Sequence, residues 1–289
     1  MSNESEINAL IQLLDDNDLE VFKHVHNKLK SLGPEVIPTL EQAWGSELNP
    51  TAHERIEEII HEIQFESLED EWRLWLSNTD NPDLLTGAFL VAKYHYPELR
   101  LEEVQKKIFK IKQSIWLELN YNQTPLEQIQ IFNQVFYVHQ NFKGSQSSSD
   151  YQEFCINNAL ESKKGSSLSI GIIYQIIANE LNLPVYGVNL VRHYILAFCK
   201  KMIFDFNTEE NLEREVMFYI NPINKGSIFS RNEIKDYLEK MKVEHSPVYY
   251  LPADNLSILK ELLKNLIEIY EHQNRSDRAK ELTVLVKLM

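Results

Sequence analysis

The sequence predicts an α+β fold, predominantly helical, in which one apolar helix and a few short strands are flanked by helical repeats. Three observations lead there. Apolar residues recur at helical spacing over most of the 289 residues. Only 8 glycines are present, which favours helices over a turn-rich all-β architecture. The stretch from Gly165 to Phe206, GSSLSIGIIYQIIANELNLPVYGVNLVRHYILAFCKKMIFDF, opens with a Ser-rich helix start and an apolar helix, breaks at Pro184, and continues as three short apolar runs.

Along the chain, Ile7, Leu10, Ile11 and Leu14 share one helix face. Asp15-Asp16-Asn17-Asp18 ends that run and can cap the next helix. Val21, Val25, Leu29 and Leu32 form a second stripe, closed by Gly33-Pro34, and a third runs from Val36 through Ile37 and Leu40 to Trp44. The segment LIQLLDDNDLEVFKHVHNKLKSLGPEVIPTL resembles a HEAT-type repeat, with a more divergent second unit expected over His53 to Leu76. Such units cannot bury their apolar faces singly.

Leu85, Ala88, Phe89, Ala92 and Tyr96 make the next stripe, and Leu101, Val104, Ile108, Ile111 and Ile115 the one after it. Thr124-Pro125-Leu126-Glu127 is a strong helix start, with Thr as cap, Pro at the first position and Glu three residues on. GSQSSSD, Gly144 to Asp150, reads as a surface connector. FYINPINKGSIFS promises one or two strands around Pro222 and Gly226, and Arg231 to Lys240 a short helix. From Asn255 a helical hairpin is expected, broken near Asn274-Arg275-Ser276 and similar to a tetratricopeptide unit. The organisation expected is a helical segment over 1–78, a central domain over 79–250 and a C-terminal hairpin over 251–289.

A formal net charge of −14 argues against general nucleic-acid binding, which needs an excess of Lys and Arg. Two cysteines, Cys155 and Cys199, do not make a disulfide framework. The start, MSNESEINALIQLLDD, has no basic stretch followed by a long apolar one, and no apolar run approaches the roughly 20 residues of a membrane span. A cytoplasmic protein without membrane attachment is expected.

A residue at a helix N-terminus, facing a His and then an Asp on neighbouring strands, is the layout of a thiol-type catalytic triad. Ser167, His193 and Asp205 occupy that layout here, with serine where the nucleophile belongs. His193 and Asp205, twelve residues apart, face one another if a hairpin turns near Cys199. Structural readings stand beside these roles. Ser167 can be a helix N-cap, with Ser166 and Ser169 as neighbouring hydroxyls, and His193 a buried ring bonded to a strand neighbour. In both readings Asp205 should orient His193. Cys155, in the stripe with Phe154, Ile156 and Leu160, reads as a buried small hydrophobe. Cys199 beside Lys200 and Lys201 is expected to have a lowered pKa.

No cofactor or metal is expected. His24 and His26 on one helix point about 200° apart. Glu57 and His61 share a face at i,i+4, but HERIEEIIHEI is not a metal-binding HExxH.

Residues from about 84 to 240 resemble the transglutaminase-like superfamily, in its SirB-type branch. The resemblance is carried by DLLTGAFLVAKYHYPEL, FCINNALESKKGSSLSIGIIYQIIANELNLPVYGVNL, RHYILAF, FDFN and NPINKGSIFSRNEI. It implies a papain-type core, a central helix packed on a small antiparallel sheet, with Ser167 at the position of the family's cysteine, His193 at its histidine and Asp205 at its aspartate. Gly165-x-Ser167 takes the place of a Gly-x-Cys motif, and Arg192 stands before the His where the branch tends to have Pro-Gly. A serine hydroxyl gains far less than a thiol from a helix N-terminus and a neighbouring His. The expectation is therefore a catalytically degenerate member acting as a binding module for a protein or peptide partner. The alternative is an amide or ester hydrolase or acyltransferase using Ser167, His193 and Asp205.

Overall fold

The structure is a computed structural model, and it describes residues 2–16, 18–45, 50–77, 81–120, 122–145, 149–191, 193–206, 209–243 and 246–289. The chain forms two compact units, Met1–Leu74 and Trp75–Met289.

In the first unit, α1 (Ser2–Gln12), α2 (Leu19–Ser31), α3 (Ile37–Trp44) and most of α4 (Pro50–Ser77) enclose one apolar core. Ile7, Ile11 and Leu14, then Val25 and Leu29, then Val36 and Leu40 point into it, as their spacing requires. Asp18 caps α2 by accepting from the Glu20 N–H at 2.8 Å. The Arg55 guanidinium donates to the Leu14 and Asp16 carbonyls just past the end of α1. The divergent second repeat unit expected over His53 to Leu76 is not a helix pair: those residues lie in the single helix α4.

The second unit begins with α5 (Leu84–Lys93), α6 (Leu101–Trp116) and α7 (Pro125–Asn133). Thr124 and Glu127 form the expected capping box. A π-helical stretch, Gln134–His139, follows α7 directly. The strand β1 (Lys143–Ser145) pairs in parallel with β2 (Lys164–Ser166), which leads straight into a helix. The first residues of the Gly144–Asp150 connector are thus a strand, and residues 146–148 lie outside the described ones. A 3₁₀ turn (Tyr151–Phe154) and α8 (Ile156–Ser162) separate the two strands.

The helix α9 (Ser167–Glu180) is the centre of this unit. Leu168, Ile170, Ile172, Ile173, Tyr174, Ile176, Ile177 and Ala178 are all buried along with Ser169 and Gln175, so it is a core helix buried on every side. It packs on a four-stranded antiparallel sheet of order β3 (Val185–Leu190), β4 (His193–Cys199), β5 (Val216–Asn221), β6 (Ser227–Phe229). A short helix α10 (Glu209–Glu215) precedes β5, and α11 (Arg231–Lys240) follows β6. The hairpin α12 (Asn255–His272) and α13 (Ser276–Leu288) closes the unit, with α12 packed on α5 and β3.

Candidate functional site

The backbone around Ser167 is held by its neighbours. Ser166, not Ser167, is the N-cap of α9: its Oγ accepts from the Ser169 N–H at 3.1 Å. The Ser169 hydroxyl in turn donates to the Glu153 carbonyl at 2.6 Å. Both hydroxyls are buried and consumed by structure. Ser167 is the first helical residue, half-buried, and its hydroxyl makes no hydrogen bond among the described residues.

The direction of each side chain on β4 follows from one contact. A Cβ placed on Gly171 of α9 would stand 2.4 Å from the Tyr194 ring, and one on Gly187 of β3 would stand 2.0 Å from its hydroxyl oxygen. Tyr194 therefore lies in a slot between α9 and β3 that only two glycines leave open. Its hydroxyl donates to Gln175 Oε1 at 3.2 Å, and the Gly187 N–H donates to the same oxygen at 2.8 Å. Tyr194 faces α9, and side chains alternate along a strand, so His193 faces the other way.

The opposite face of the sheet agrees. Leu190, Val188, Ile195, Ala197 and Tyr219 form a cluster with Ile234 and Leu238 of α11. Leu190 is the cross-strand partner of His193, and directly paired residues share a face. The His193 ring lies 5.7 Å from that of Tyr237 on α11. His193 is exposed and makes no hydrogen bond among the described residues, so it is not the buried, strand-bonded ring of the structural reading.

Among the described residues no tight hairpin turns near Cys199. Leu190 pairs with His193 across β3 and β4, and β4 runs on to Cys199 before the chain reaches α10 and β5. Asp205 lies in no strand. The Ile203 N–H donates to the Tyr186 hydroxyl at 2.7 Å and Phe206 packs edge-on against the Tyr186 ring, which fixes this segment toward the Cys199 end of β4. Tyr186 pairs with Ala197, and four residues of extended strand, about 13 Å, separate Ala197 from His193. Among the described residues His193 has a ring contact with Tyr237 but no hydrogen bond or ion pair, so the expected contact with Asp205 is not formed. Asp205 instead lines a cavity of about 550 Å³ with Lys201, Met202, Phe204 and Glu215. Arg192 lies outside the described residues.

Neither cysteine offers a substitute nucleophile. Cys155 is buried, as expected, and burial pushes its thiol up to about 12. Cys199 was expected to be acidic beside two lysines. It is the buried last residue of β4, and burial, with Glu215 adding to it, pushes that thiol up to about 12 as well.

What His193 does line is a cavity of about 900 Å³ between the sheet and α11. Leu190, Tyr194, Ile195, Asn221, Ser227 and Phe229 contribute from the strands, and Glu233, Ile234 and Tyr237 from α11. Ile223 and Asn224 close one end from the β5–β6 turn. The floor is built by register: Tyr219 opposes Phe229 and Asn221 opposes Ser227, so alternate residues of β5 and β6 present one face. Tyr237 donates its hydroxyl to the Val191 carbonyl at 3.0 Å, tying α11 to the β3–β4 turn. Glu233 caps α11, and the Ser230 N–H and hydroxyl hold its carboxyl below the usual carboxylate range. Among the described residues the lining contains no Lys or Arg.

Sequence reasoning identified the strands and the helix that bound this cavity but not the residues that line it. The alternation in FYINPINKGSIFS was the available signal.

No group of three or more His, Cys, Asp or Glu among the described residues could hold a metal ion, and no helix among them is long and apolar enough to cross a membrane. The fold and its site define an α+β protein built on a buried helix, a serine at its first position, and a histidine on the neighbouring sheet. The sequence profile of the transglutaminase-like superfamily matches residues 102–264, and the chain belongs to that superfamily. It is similar to a UPF0162 protein of Vibrio cholerae serotype O1, with 23% identity over 184 residues that span 62% of this chain and 63% of that protein. A UPF0162 protein of Xylella fastidiosa is 21% identical over 210 residues, 68% of each chain. The matched stretch thus covers a little under two thirds of the Vibrio protein. No solved structure gives a significant match.

Proposed function

We propose that this chain is a catalytically degenerate member of the transglutaminase-like superfamily that binds an extended peptide segment of a partner protein in the cleft between the sheet and α11. The observation that carries the reading is the alternation at Tyr194 and His193. With Tyr194 locked toward α9, the imidazole is turned away from the helix that bears Ser167. A general base must reach the proton it removes, within about 3 Å or through one water, and neither Ser167 nor Asp205 is bonded to this ring.

The cleft has the makings of a peptide site. Its cavity of about 900 Å³ combines aliphatic and aromatic walls with the amides of Asn221 and Asn224 and the hydroxyl of Ser227. It also opens beside β6, which pairs with β5 alone among the described residues and is therefore a sheet edge. An edge strand offers main-chain groups to an added strand, while the adjacent cavity takes alternate side chains.

The test is selection of a random peptide library on the intact chain, with counter-selection on Ser227→Trp, which fills the cleft from an exposed position. Peptides that bind the parent and lose at least tenfold on Ser227→Trp support the proposal. Binders that ignore the substitution, or none at all, would overturn it.

A further inference from the structure

Away from this cleft, a histidine is packed where its protonation has no outlet. His95 follows the end of α5, beneath the distal end of the C-terminal hairpin. Its ring stacks on Tyr151 at 4.5 Å and meets Tyr94 edge-on at 4.9 Å. Nδ1 lies 3.0 Å from the Tyr270 hydroxyl of α12, while Nε2 is buried without a partner.

The groups facing this ring come from every element packed around it. From α5 and its turn come Tyr94 and Tyr96. The 3₁₀ turn and the residues flanking it bring Asp150, Tyr151 and Cys155, whose charges act on Tyr96. From the hairpin come Tyr270, Arg275, Arg278 and Glu281. Arg278 and Arg275 lie over the Tyr94 and Tyr270 rings, and both oppose a positive charge on His95. Glu281, the nearby carboxylate of α13, accepts the Tyr94 hydroxyl and lies 3.7 Å from Arg278. None of these carboxylates bonds the imidazole, so the doubly protonated ring would be buried beside two guanidiniums with its Nε2–H left without an acceptor.

We propose that His95 is a proton-operated latch: the distal hairpin, from Tyr270 through α13, docks only on the neutral ring, and protonation of His95 releases it from Tyr94 and Tyr151. Burial and the two arginines hold the docked ring down to about 3, whereas a released histidine returns to about 6.5. The released state therefore takes up the proton first. The latch is at full strength above pH 6.5 and is lost as pH falls from there toward 3.

Hydrogen exchange across 266–289 in the intact chain, corrected for intrinsic rates, reads the latch directly. Between pH 6 and 4 the opening constant of this segment should rise about tenfold per pH unit, while α9 stays protected. In His95→Gln, which keeps an acceptor for Tyr270 but cannot ionise there, the rise should vanish. An equal rise in the Gln variant, or a flat profile in the parent, would overturn the proposal. If the Gln variant fails to fold, histidine ring NMR of the parent decides: a docked ring neutral at pH 5 is expected, and one titrating near 6.5 would refute the latch.

Discussion

Tyr194 donates its hydroxyl to the buried Gln175 Oε1 at 3.2 Å, and that bond fixes which face of the sheet its neighbour His193 occupies. Gln175 also accepts from the Gly187 N–H. Replacing it with Leu leaves a buried backbone donor without a partner, at a cost of about 1–3 kcal/mol. Tyr194→Phe, which removes only the hydroxyl, costs about 1 kcal/mol. Urea unfolding with an unchanged slope checks both.

The slot for Tyr194 makes a second prediction. Gly171→Ala and Gly187→Ala place a methyl 2.4 Å and 2.0 Å from that ring system. Each is expected to destabilise by about 1–3 kcal/mol, against the usual gain of replacing a helical glycine by alanine at position 171. Because both clash with one side chain, the double-mutant cycle with Tyr194→Leu should show strong coupling. Additive effects would mean that the slot is not the constraint.

The thiols provide a third. With both pushed up to about 12 by burial, Cys155 and Cys199 should resist iodoacetamide at pH 8 in the native chain and react fully in denaturant. Rapid native alkylation of either would contradict their burial.

His193 and Tyr237 should separate in their effects. His193 is exposed and makes no hydrogen bond among the described residues, so His193→Ala should change stability by less than about 0.5 kcal/mol. Tyr237→Phe breaks the bond to the Val191 carbonyl and should cost about 1 kcal/mol. A large loss in His193→Ala would restore a structural role for that ring.

Local signals carried most of the architecture. The Thr124 capping box, the break at Pro184 and the strand pair around Pro222 and Gly226 are set by residues close in sequence, and each is where the sequence placed it. The N-cap was misplaced by one residue, because a run of serines does not say which hydroxyl reaches back to the third N–H. The geometry of the site depends on longer-range contacts. The relation of His193 to Ser167 depends on the face that Tyr194 takes, which depends on Gly171, Gln175 and Gly187 from two other elements. Asp205 was assigned to a strand by its apolar neighbours, but Ile203 and Phe206 satisfy themselves against Tyr186 instead. The acidity expected of Cys199 rested on neighbouring lysines in sequence, while its burial in the sheet acts more strongly and in the other direction.

The most direct measurement is labelling of the intact chain with a fluorophosphonate, read by mass spectrometry with site mapping. A serine activated by a histidine base would take up one phosphonyl group, and His193→Ala would abolish it. With His193 turned toward α11, Ser167 should remain unlabelled under conditions that fully label a serine hydrolase. Stoichiometric modification of Ser167 that is lost in His193→Ala would contradict the proposal that this chain binds rather than catalyses.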